Sequence, residues 1–196
     1  MKKLVIASNN PGKLAEFQTL LAPLGIEVVT QAQLGIKEAE EPHHTFIENA
    51  LAKARHVSRE SGLPALADDS GICVDALNGM PGVVSARFSG LPSSDERNNQ
   101  ALLEAMKTHT NRRAHYYCVL VLLQKAGDAQ PLIAEGEWHG EIAREPRGTG
   151  GFGYDPLFWL PELGKMSAEL SREEKDAISH RGKAMRLMLE KLKIAI

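Results

Sequence analysis

The sequence is organised around Ala67-Asp68-Asp69-Ser70-Gly71, two adjacent carboxylates followed by a hydroxyl and a glycine. An apolar run, 63–67, precedes the acids and is typical of a buried strand, so we expect the acids where that strand leaves the sheet. Residues 72–74 are apolar again. Two ionised groups in such a run cost too much free energy to stay unpaired, and they need a cation, hydrogen-bond donors or solvent. A divalent metal ion is the simplest partner.

The two acids are expected to have different roles. Because successive side chains of a strand point to opposite faces, Asp68 and Asp69 do not face one ion unless the strand has already turned. We expect Asp69, nearer the loop, to bind the metal and the attacking water, and Asp68 to brace the loop. Magnesium is normally held by one or two protein carboxylates, so a second ligand from the acidic segment 38–41 would suffice.

A second candidate site lies near the start of the chain. The aliphatic run 3–7 predicts a strand, and the leucines and phenylalanine that follow Lys13 recur at helical spacing. Asn10 is expected to be the N-cap with Pro11 at the first helical position, which directs free N–H groups, the helix dipole and Lys13 to one spot. Such a spot binds phosphate, although a well-capped helix with a solvated lysine explains the segment equally well. The glycine spacing of a Walker A loop is missing.

Two further helices are predicted from capping signals. Thr45-Phe46-Ile47-Glu48 opens a long amphipathic helix that ends near Gly62 and carries Lys53 as its one plausible site residue. The segment 93–96 opens another, and its polar residues, including Asn98 and Asn99, receive no functional assignment. Between the helices, 27–30 is predicted as a strand, and 115–124 and 132–138 as an antiparallel pair of strands.

The stretch 147–156 is rich in glycine, and Gly148, Gly150 and Gly153 fit G-x-G-x-x-G. A dinucleotide-binding fingerprint must open a helix, whereas 157–160 is expected to be extended between two prolines. We interpret the stretch as a flexible loop that places backbone amides and one aromatic ring against a flat ligand, with Asp155 fixing its end. A purely structural glycine turn is the alternative, and it leaves the clustered aromatic residues unexplained.

The C-terminal segment supplies further hydrogen-bond donors. Ser171-Arg172-Glu173-Glu174 is a capping box followed by Lys175, and His180 and Arg181 stand at the start of a last amphipathic helix. Such a His-Arg pair is usually a surface feature. It bears on function only if it faces the same ligand as the other segments.

The composition excludes several classes of protein. A net charge of -2 provides no basic field for a polynucleotide, so a small charged ligand in a local site is favoured. No segment approaches the length of a membrane span, and the apolar start is too short for a signal peptide. Cys73 and Cys118 are too few and too far apart for a zinc motif, and we expect small buried side chains in a reducing cytoplasm. The length favours one domain.

Six short motifs follow one another along the chain. They are Ser8-Asn9-Asn10-Pro11-Gly12-Lys13, Thr45-Phe46-Ile47-Glu48-Asn49-Ala50, Ala67-Asp68-Asp69-Ser70-Gly71, Pro81-Gly82 with Ser85-Ala86-Arg87, Gly150-Gly151-Phe152-Gly153-Tyr154-Asp155-Pro156, and Ser179-His180-Arg181-Gly182. In this order they make the chain resemble the family of inosine and xanthosine triphosphate pyrophosphatases, the RdgB-like enzymes, over nearly its full length. The family often has Thr-Gly where this chain has Ser8-Asn9, and the hydroxyl is kept.

The resemblance implies a fold and an activity. The fold is α/β, with a long central mixed β-sheet flanked by helices and two lobes around an active-site cleft, in one domain over 1–196 and as a homodimer. The activity is magnesium-dependent cleavage of non-canonical purine nucleoside triphosphates (ITP, dITP and XTP) to the monophosphate and pyrophosphate. Donors on His180 and Arg181 would favour the 6-oxo group of inosine and xanthine over the 6-amino group of adenine.

The resemblance also implies roles for residues at matching positions. Asp69 is metal ligand and proton acceptor, either Glu40 or Glu41 completes the magnesium site, and Ser70 contacts the substrate. The residues implied to bind the triphosphate are Ser8, Asn9, Asn10, Pro11, Gly12 and Lys13, with Lys13 also stabilising charge on phosphorus. Those implied to hold the nucleotide are Phe152, Gly153, Tyr154, Asp155, Lys175, His180 and Arg181.

Three alternatives stay open at this point. A Maf-type pyrophosphatase acting on pyrimidine or modified nucleotides is the nearest, although the His180-Arg181 segment argues against it. A phosphomonoesterase with an aspartyl nucleophile would need the alternating D-x-D-x-[TV] pattern, which 68–70 lacks. A nucleotide-binding sensor without catalysis is the third, and the intact acids and Lys13 disfavour it.

Overall fold

A seven-stranded mixed sheet forms the framework of the computed structural model, which describes residues 2–195. Its strands, in chain order, are β1 (Lys3–Ile6), β2 (Glu27–Thr30), β3 (Ala65–Val74), β4 (Arg113–Leu123), β5 (Leu132–Ile142), β6 (Phe158–Leu160) and β7 (Lys165–Met166). The order across the sheet is β2-β1-β3-β4-β5-β6-β7. Strand β1 pairs in parallel with β2 and β3, and β6 pairs antiparallel with β5 and β7. The predicted α/β fold with a mixed sheet is confirmed.

The helices begin where the capping signals predict. They are α1 (Pro11–Leu21), α2 (Phe46–Ser61), α3 (Asp95–Ala105), α4 (Arg172–Ile178) and α5 (His180–Ala195). The side chain that caps each of the first four helices accepts a hydrogen bond from a backbone N–H of the first turn; these caps are Asn10, Thr45, Ser94 and Ser171. Helix α2 ends at Gly62 in the left-handed region, as a C-cap glycine does.

Strand β3 differs from the prediction. The two acids were expected where the strand leaves the sheet, and that expectation is wrong, because β3 continues through Asp68, Asp69, Ser70 and Gly71 to Val74. The apolar residues on both sides of the acids make one strand of 10 residues instead of a strand and a loop. Since the strand does not turn, Asp68 and Asp69 point to opposite faces of the sheet.

The chain divides into two compact units. The first consists of residues 2–69, 118–135 and 181–195. Its core is built from one end of the sheet and the apolar faces of α1 and α5, including Leu4, Phe17, Leu120, Met185 and Met188, all fully buried. The two methionines of the last helix thus belong to the core.

The second unit consists of residues 70–117 and 136–180. Its core is richer in aromatic residues, with Tyr116, Trp138, Tyr154 and Phe158 around Leu102 of α3. The ring of Phe158 meets that of Tyr116 edge to face, with centroids 4.7 Å apart.

Among helices in the described part of the chain, none has the length and apolar character needed to cross a bilayer.

Candidate active site

The N-terminus of α1 has the geometry of an anion-binding site. The side chain of Asn10 accepts a hydrogen bond from the Lys13 N–H at 3.1 Å, and the Asn10 N–H donates to the Ser8 hydroxyl at 3.2 Å. Asn9, Asn10 and Pro11 are exposed, so the start of the helix is accessible to a ligand. The predicted cap is confirmed, and a capped helix N-terminus of this kind is suited to an anion.

Asp68 lies on one face of β3 and is the centre of a buried ion cluster. The Lys13 ammonium lies 2.6 Å from its Oδ1, and the Arg181 guanidinium donates to its Oδ2 through Nε at 3.1 Å and Nη2 at 3.0 Å. Burial alone would raise the pKa of Asp68, but Lys13, Arg181 and Lys53 together hold it well below its usual range. Asp68 is therefore a stable carboxylate paired with Lys13 and Arg181 inside β3, rather than a residue that braces a loop.

Glu16 extends the cluster back to α1. Its carboxylate accepts a hydrogen bond from Nη1 of Arg181, and only 5% of Glu16 and 1% of Arg181 is exposed. Glu16 lies one turn after Lys13, so α1 is linked to Asp68 twice, directly through Lys13 and through the Glu16–Arg181 pair. The position of the α1 N-terminus relative to β3 is fixed by these ion pairs.

Asp69 lies on the opposite face of β3 in a different environment. The Lys53 ammonium of α2 donates to its Oδ1 at 3.0 Å and to Oε1 of Glu41 at 2.6 Å. The second oxygen of Asp69, Oδ2, is buried and has no hydrogen-bond partner among residues 2–195. The environments of the two acids therefore differ, since each oxygen of Asp68 lies within 3.1 Å of a cationic nitrogen, whereas Oδ2 of Asp69 has no hydrogen-bond partner among residues 2–195.

The pKa values of Asp69 and Lys53 both rise, for different reasons. Burial raises the pKa of Asp69, the charges of Lys53 and Lys13 only partly oppose it, and Glu41 adds to it. Burial would lower the pKa of Lys53, but the charges of Asp69, Glu41 and Asp68 raise it above its ordinary value. The Lys53 ammonium is shared by two carboxylates. Their charges outweigh the cost of burying the lysine, whereas the nearby cations do not outweigh the cost of burying the Asp69 carboxylate.

The residues around Asp69 fit a magnesium ion. A buried carboxylate oxygen without a donor, beside a second carboxylate, is the oxygen donor set that magnesium takes, with water and phosphate completing the octahedron. In residues 2–195, no group of three or more histidine, cysteine or acidic side chains could form an all-protein site. Of the two predicted second ligands, Glu41 shares Lys53 with Asp69, whereas Glu40 is exposed.

In the second unit, the glycine loop is tied down by Asp155. Its Oδ2 accepts hydrogen bonds from the Phe152 N–H at 2.9 Å and the Lys175 ammonium at 2.6 Å, and its Oδ1 accepts from the Ser167 hydroxyl at 2.9 Å. Gly151 has φ +73°, and a Cβ there would lie 2.0 Å from Asp155 Oδ2, so the position requires glycine. The prediction that Asp155 fixes the end of the loop is confirmed. The loop was predicted to be flexible, but these hydrogen bonds hold it in place.

Lys175 and His180 are buried in the second unit rather than on its surface. The Lys175 ammonium lies 4.6 Å from the centroid of the Phe152 ring, a cation–π contact. The His180 ring stacks on Tyr116 at 4.7 Å with an interplanar angle of 9° and lies 6.3 Å from the Trp138 ring. Tyr116 and Trp138, which belong to the core of the second unit, were not singled out from the sequence.

The predicted site residues thus form groups within each unit. In the first unit, Lys13 and Arg181 meet at Asp68, and Lys53 and Glu41 meet Asp69. In the second unit, Phe152, Asp155 and Lys175 contact one another, and Ser70 is half-buried in β3.

Arg181, predicted to hold the nucleotide, has its guanidinium in the buried pairs with Asp68 and Glu16. Glu16 itself was missed, since an acid in an amphipathic helix gives no sign of a buried partner.

The charge of Asp68 has a testable effect on stability. Its pKa is lowered on folding, so its stabilising contribution is present above the unfolded pKa of about 4 and is lost as the pH falls through the folded value. We expect Asp68→Asn to lower the free energy of unfolding by about 3 kcal/mol. Urea unfolding should give the same difference at pH 7 and pH 5, and a smaller one below about pH 4. Asp75→Asn, at an exposed carboxylate, is the control. A difference that halves between pH 7 and pH 5 would contradict this assignment.

Together, the fold and the site define a class of protein. An α/β protein with a helix N-terminus open to anions, a carboxylate pair suited to magnesium and a braced aromatic glycine loop has the parts of an enzyme that acts on a phosphorylated small molecule.

Comparison with known proteins identifies the family. The model of the Ham1 family matches residues 4–191, and the chain belongs to this family. It is 67% identical to the dITP/XTP pyrophosphatase of Nitrosomonas europaea over 98% of this chain and 95% of that protein. Among solved structures, it is similar to a HAM1 protein from Coxiella burnetii, with a TM-score of 0.92 and 47% identity over 98% of this chain and 99% of that one. The Ham1 protein of Staphylococcus aureus matches with a TM-score of 0.88 and 39% identity over the whole of both chains.

Proposed function

We propose that this chain hydrolyses non-canonical purine nucleoside triphosphates, dITP/ITP and XTP/dXTP, to the monophosphate and pyrophosphate, and so removes deaminated purines from the nucleotide pool. Relatives 52% to 67% identical to it are named dITP/XTP pyrophosphatase. The observation that carries the proposal is the Asp69 carboxylate, buried beside Glu41 and Lys53 with one oxygen unpartnered among residues 2–195.

The first unit is assigned the phosphate chemistry. Residues 8–13 bind the triphosphate through the N–H groups at the start of α1, and Lys13 stabilises the charge that develops during cleavage. Asp69 and Glu41 would hold magnesium, which would neutralise phosphate charge and lower the pKa of bound water. Asp69 orients the attacking water and accepts its proton. The phosphoanhydride between the α and β phosphorus atoms is cleaved and pyrophosphate leaves.

The second unit is assigned the base. Phe152 offers a ring, and the glycine loop around it offers backbone amides, to a flat purine; Lys175 and Asp155 hold that loop. His180, stacked against Tyr116, offers a donor to the 6-oxo group, which leaves the 6-amino group of adenine facing another donor. The buried pairing of Arg181 supports a role in holding Asp68 in place of the predicted contact with the base.

A substrate panel tests the proposal. With magnesium, the purified protein should hydrolyse ITP, dITP and XTP with kcat/KM roughly 5- to 150-fold above that for ATP, since a mismatched buried donor facing the 6-amino group costs roughly 1–3 kcal/mol. GTP and dTTP complete the panel, and both should also be poorer substrates than ITP. EDTA should abolish the activity. Preference for dTTP or another pyrimidine would indicate a Maf-type enzyme, and tight ITP binding without turnover would indicate a sensor. We place the activity in the cytoplasm and in a homodimer, as the family resemblance implies.

A further inference from the structure

Gly153, in the middle of the braced loop, is held on both sides by one helix. Its N–H donates to Oδ2 of Asp95 at 2.7 Å, and its carbonyl oxygen accepts from Nδ2 of Asn99 at 2.8 Å. Asp95 and Asn99 are the first and fifth residues of α3, so they lie one above the other on the same face. Both backbone polar groups of Gly153, one in each of its two peptide units, are therefore fixed by residues more than 50 positions away in the sequence.

The Asn99 side chain that holds the Gly153 carbonyl is itself fixed. Nδ2 of Asn99 also donates to the Asp95 carbonyl at 2.7 Å, which uses both amide protons. Asp95 stands directly after the N-cap Ser94, whose side chain accepts a hydrogen bond from the Arg97 N–H. Gly153 has φ +61° with open space around its Cα, so its conformation rather than a close contact requires glycine.

The residues on each side of Gly153 are those whose positions matter to a ligand. Phe152 precedes it, with its ring against the Lys175 ammonium. Tyr154 follows it, and its buried hydroxyl donates to the Ser85 carbonyl at 2.7 Å. Burial and the charge of Asp95 raise the pKa of Tyr154, so the hydroxyl stays a donor. A shift of the Gly153 peptide would move the Phe152 ring.

We propose that Asp95 and Asn99 are positioning residues for substrate binding, which hold the Gly153 peptide so that Phe152 presents its ring to the base. The inference rests on the proposed function, because it assigns the loop to a purine. Neither residue contacts the substrate, and their effect passes through the loop. The polar face of α3 thereby has a role in positioning the loop, which no sequence motif indicated.

The test compares residues at matched positions of α3. Asp95→Ala and Asn99→Ala should each raise the KM for ITP about tenfold, the effect of one lost hydrogen bond, and change kcat less than about threefold. Glu96→Ala removes the other acid of the same helical turn, and Gln100→Ala shortens an exposed neighbour of Asn99; both should leave KM unchanged. Asp95→Asn keeps an oxygen acceptor for the Gly153 N–H and should restore a KM near that of the wild type.

A double-mutant cycle separates positioning from general destabilisation. If Asp95 acts through Phe152, then Asp95→Ala should raise KM less than about twofold in a Phe152→Ala background. Two results would overturn this inference and leave the proposed function intact. One is that Asp95→Ala raises KM by the same factor with and without Phe152, and the other is that Asp95→Ala has the same KM as the control Glu96→Ala. A wild-type protein that does not hydrolyse ITP would overturn both.

Discussion

Replacing Asp69 with asparagine is expected to lower kcat for ITP by roughly 10²–10⁴-fold, the usual contribution of a positioned proton acceptor. Asparagine fills the same space and still accepts from Lys53, but it neither takes a proton from water nor provides a charged ligand for magnesium. The buried second oxygen of Asp69, unpartnered in the described part of the chain, is where the structure leaves room for that chemistry.

The same variant should fold at least as well as the wild type at neutral pH. Burial raises the pKa of Asp69, which means that its ionised form costs folding stability above that pKa, and a neutral amide removes the cost. Lys53 keeps its pair with Glu41. Steady-state kinetics and urea unfolding of Asp69→Asn, with Asp75→Asn as the surface control, measure both effects. A variant that keeps more than about a tenth of wild-type kcat would remove Asp69 from the centre of the mechanism.

Replacing Arg181 with methionine is expected to lower the free energy of unfolding by about 3–5 kcal/mol, because it leaves buried carboxylates without their cation. Glu16 loses its guanidinium partner, and Asp68 keeps only Lys13 of its two closest cations. Methionine keeps much of the volume of the arginine stem, so the loss reports the charge rather than a cavity.

Arg113→Met is the matched control for this second prediction. Arg113 pairs with Asp75 at 3.2 Å, but 76% of the arginine side chain is exposed, and such a pair is worth about 0–1 kcal/mol. Urea unfolding at pH 7 compares the two variants directly. Equal destabilisation by Arg181→Met and Arg113→Met would mean that the buried cluster does not hold α1 and β3 together.

Local signals in the sequence predicted the secondary-structure elements and one part of the candidate site, the capped N-terminus of α1. The caps Asn10, Thr45 and Ser171 lie within three residues of the N–H groups that they bind, so a short sequence window contains both partners. The rejection of G-x-G-x-x-G as a dinucleotide-binding motif rested likewise on neighbouring prolines, and the loop is followed by a short 3₁₀ turn and β6 rather than a long helix.

Contacts between distant residues were not predicted from the sequence. Asp68 and Arg181 are 113 positions apart, and Glu16 and Arg181 are 165 apart, so no periodicity joins them. The course of β3 through two acids was missed because the cations that compensate the carboxylates, Lys13, Lys53 and Arg181, come from three helices. Asp95 and Asn99 were also missed. A polar helix face usually meets solvent, and their partner Gly153 is more than 50 positions away.

The most direct test of the proposed activity is the identity of its products. ITP incubated with the protein and magnesium should yield one IMP and one pyrophosphate for each ITP consumed, as resolved by anion-exchange chromatography with a pyrophosphate-specific assay. That result would assign the cleavage to the anhydride between the α and β phosphates. Release of IDP and orthophosphate instead would contradict the account.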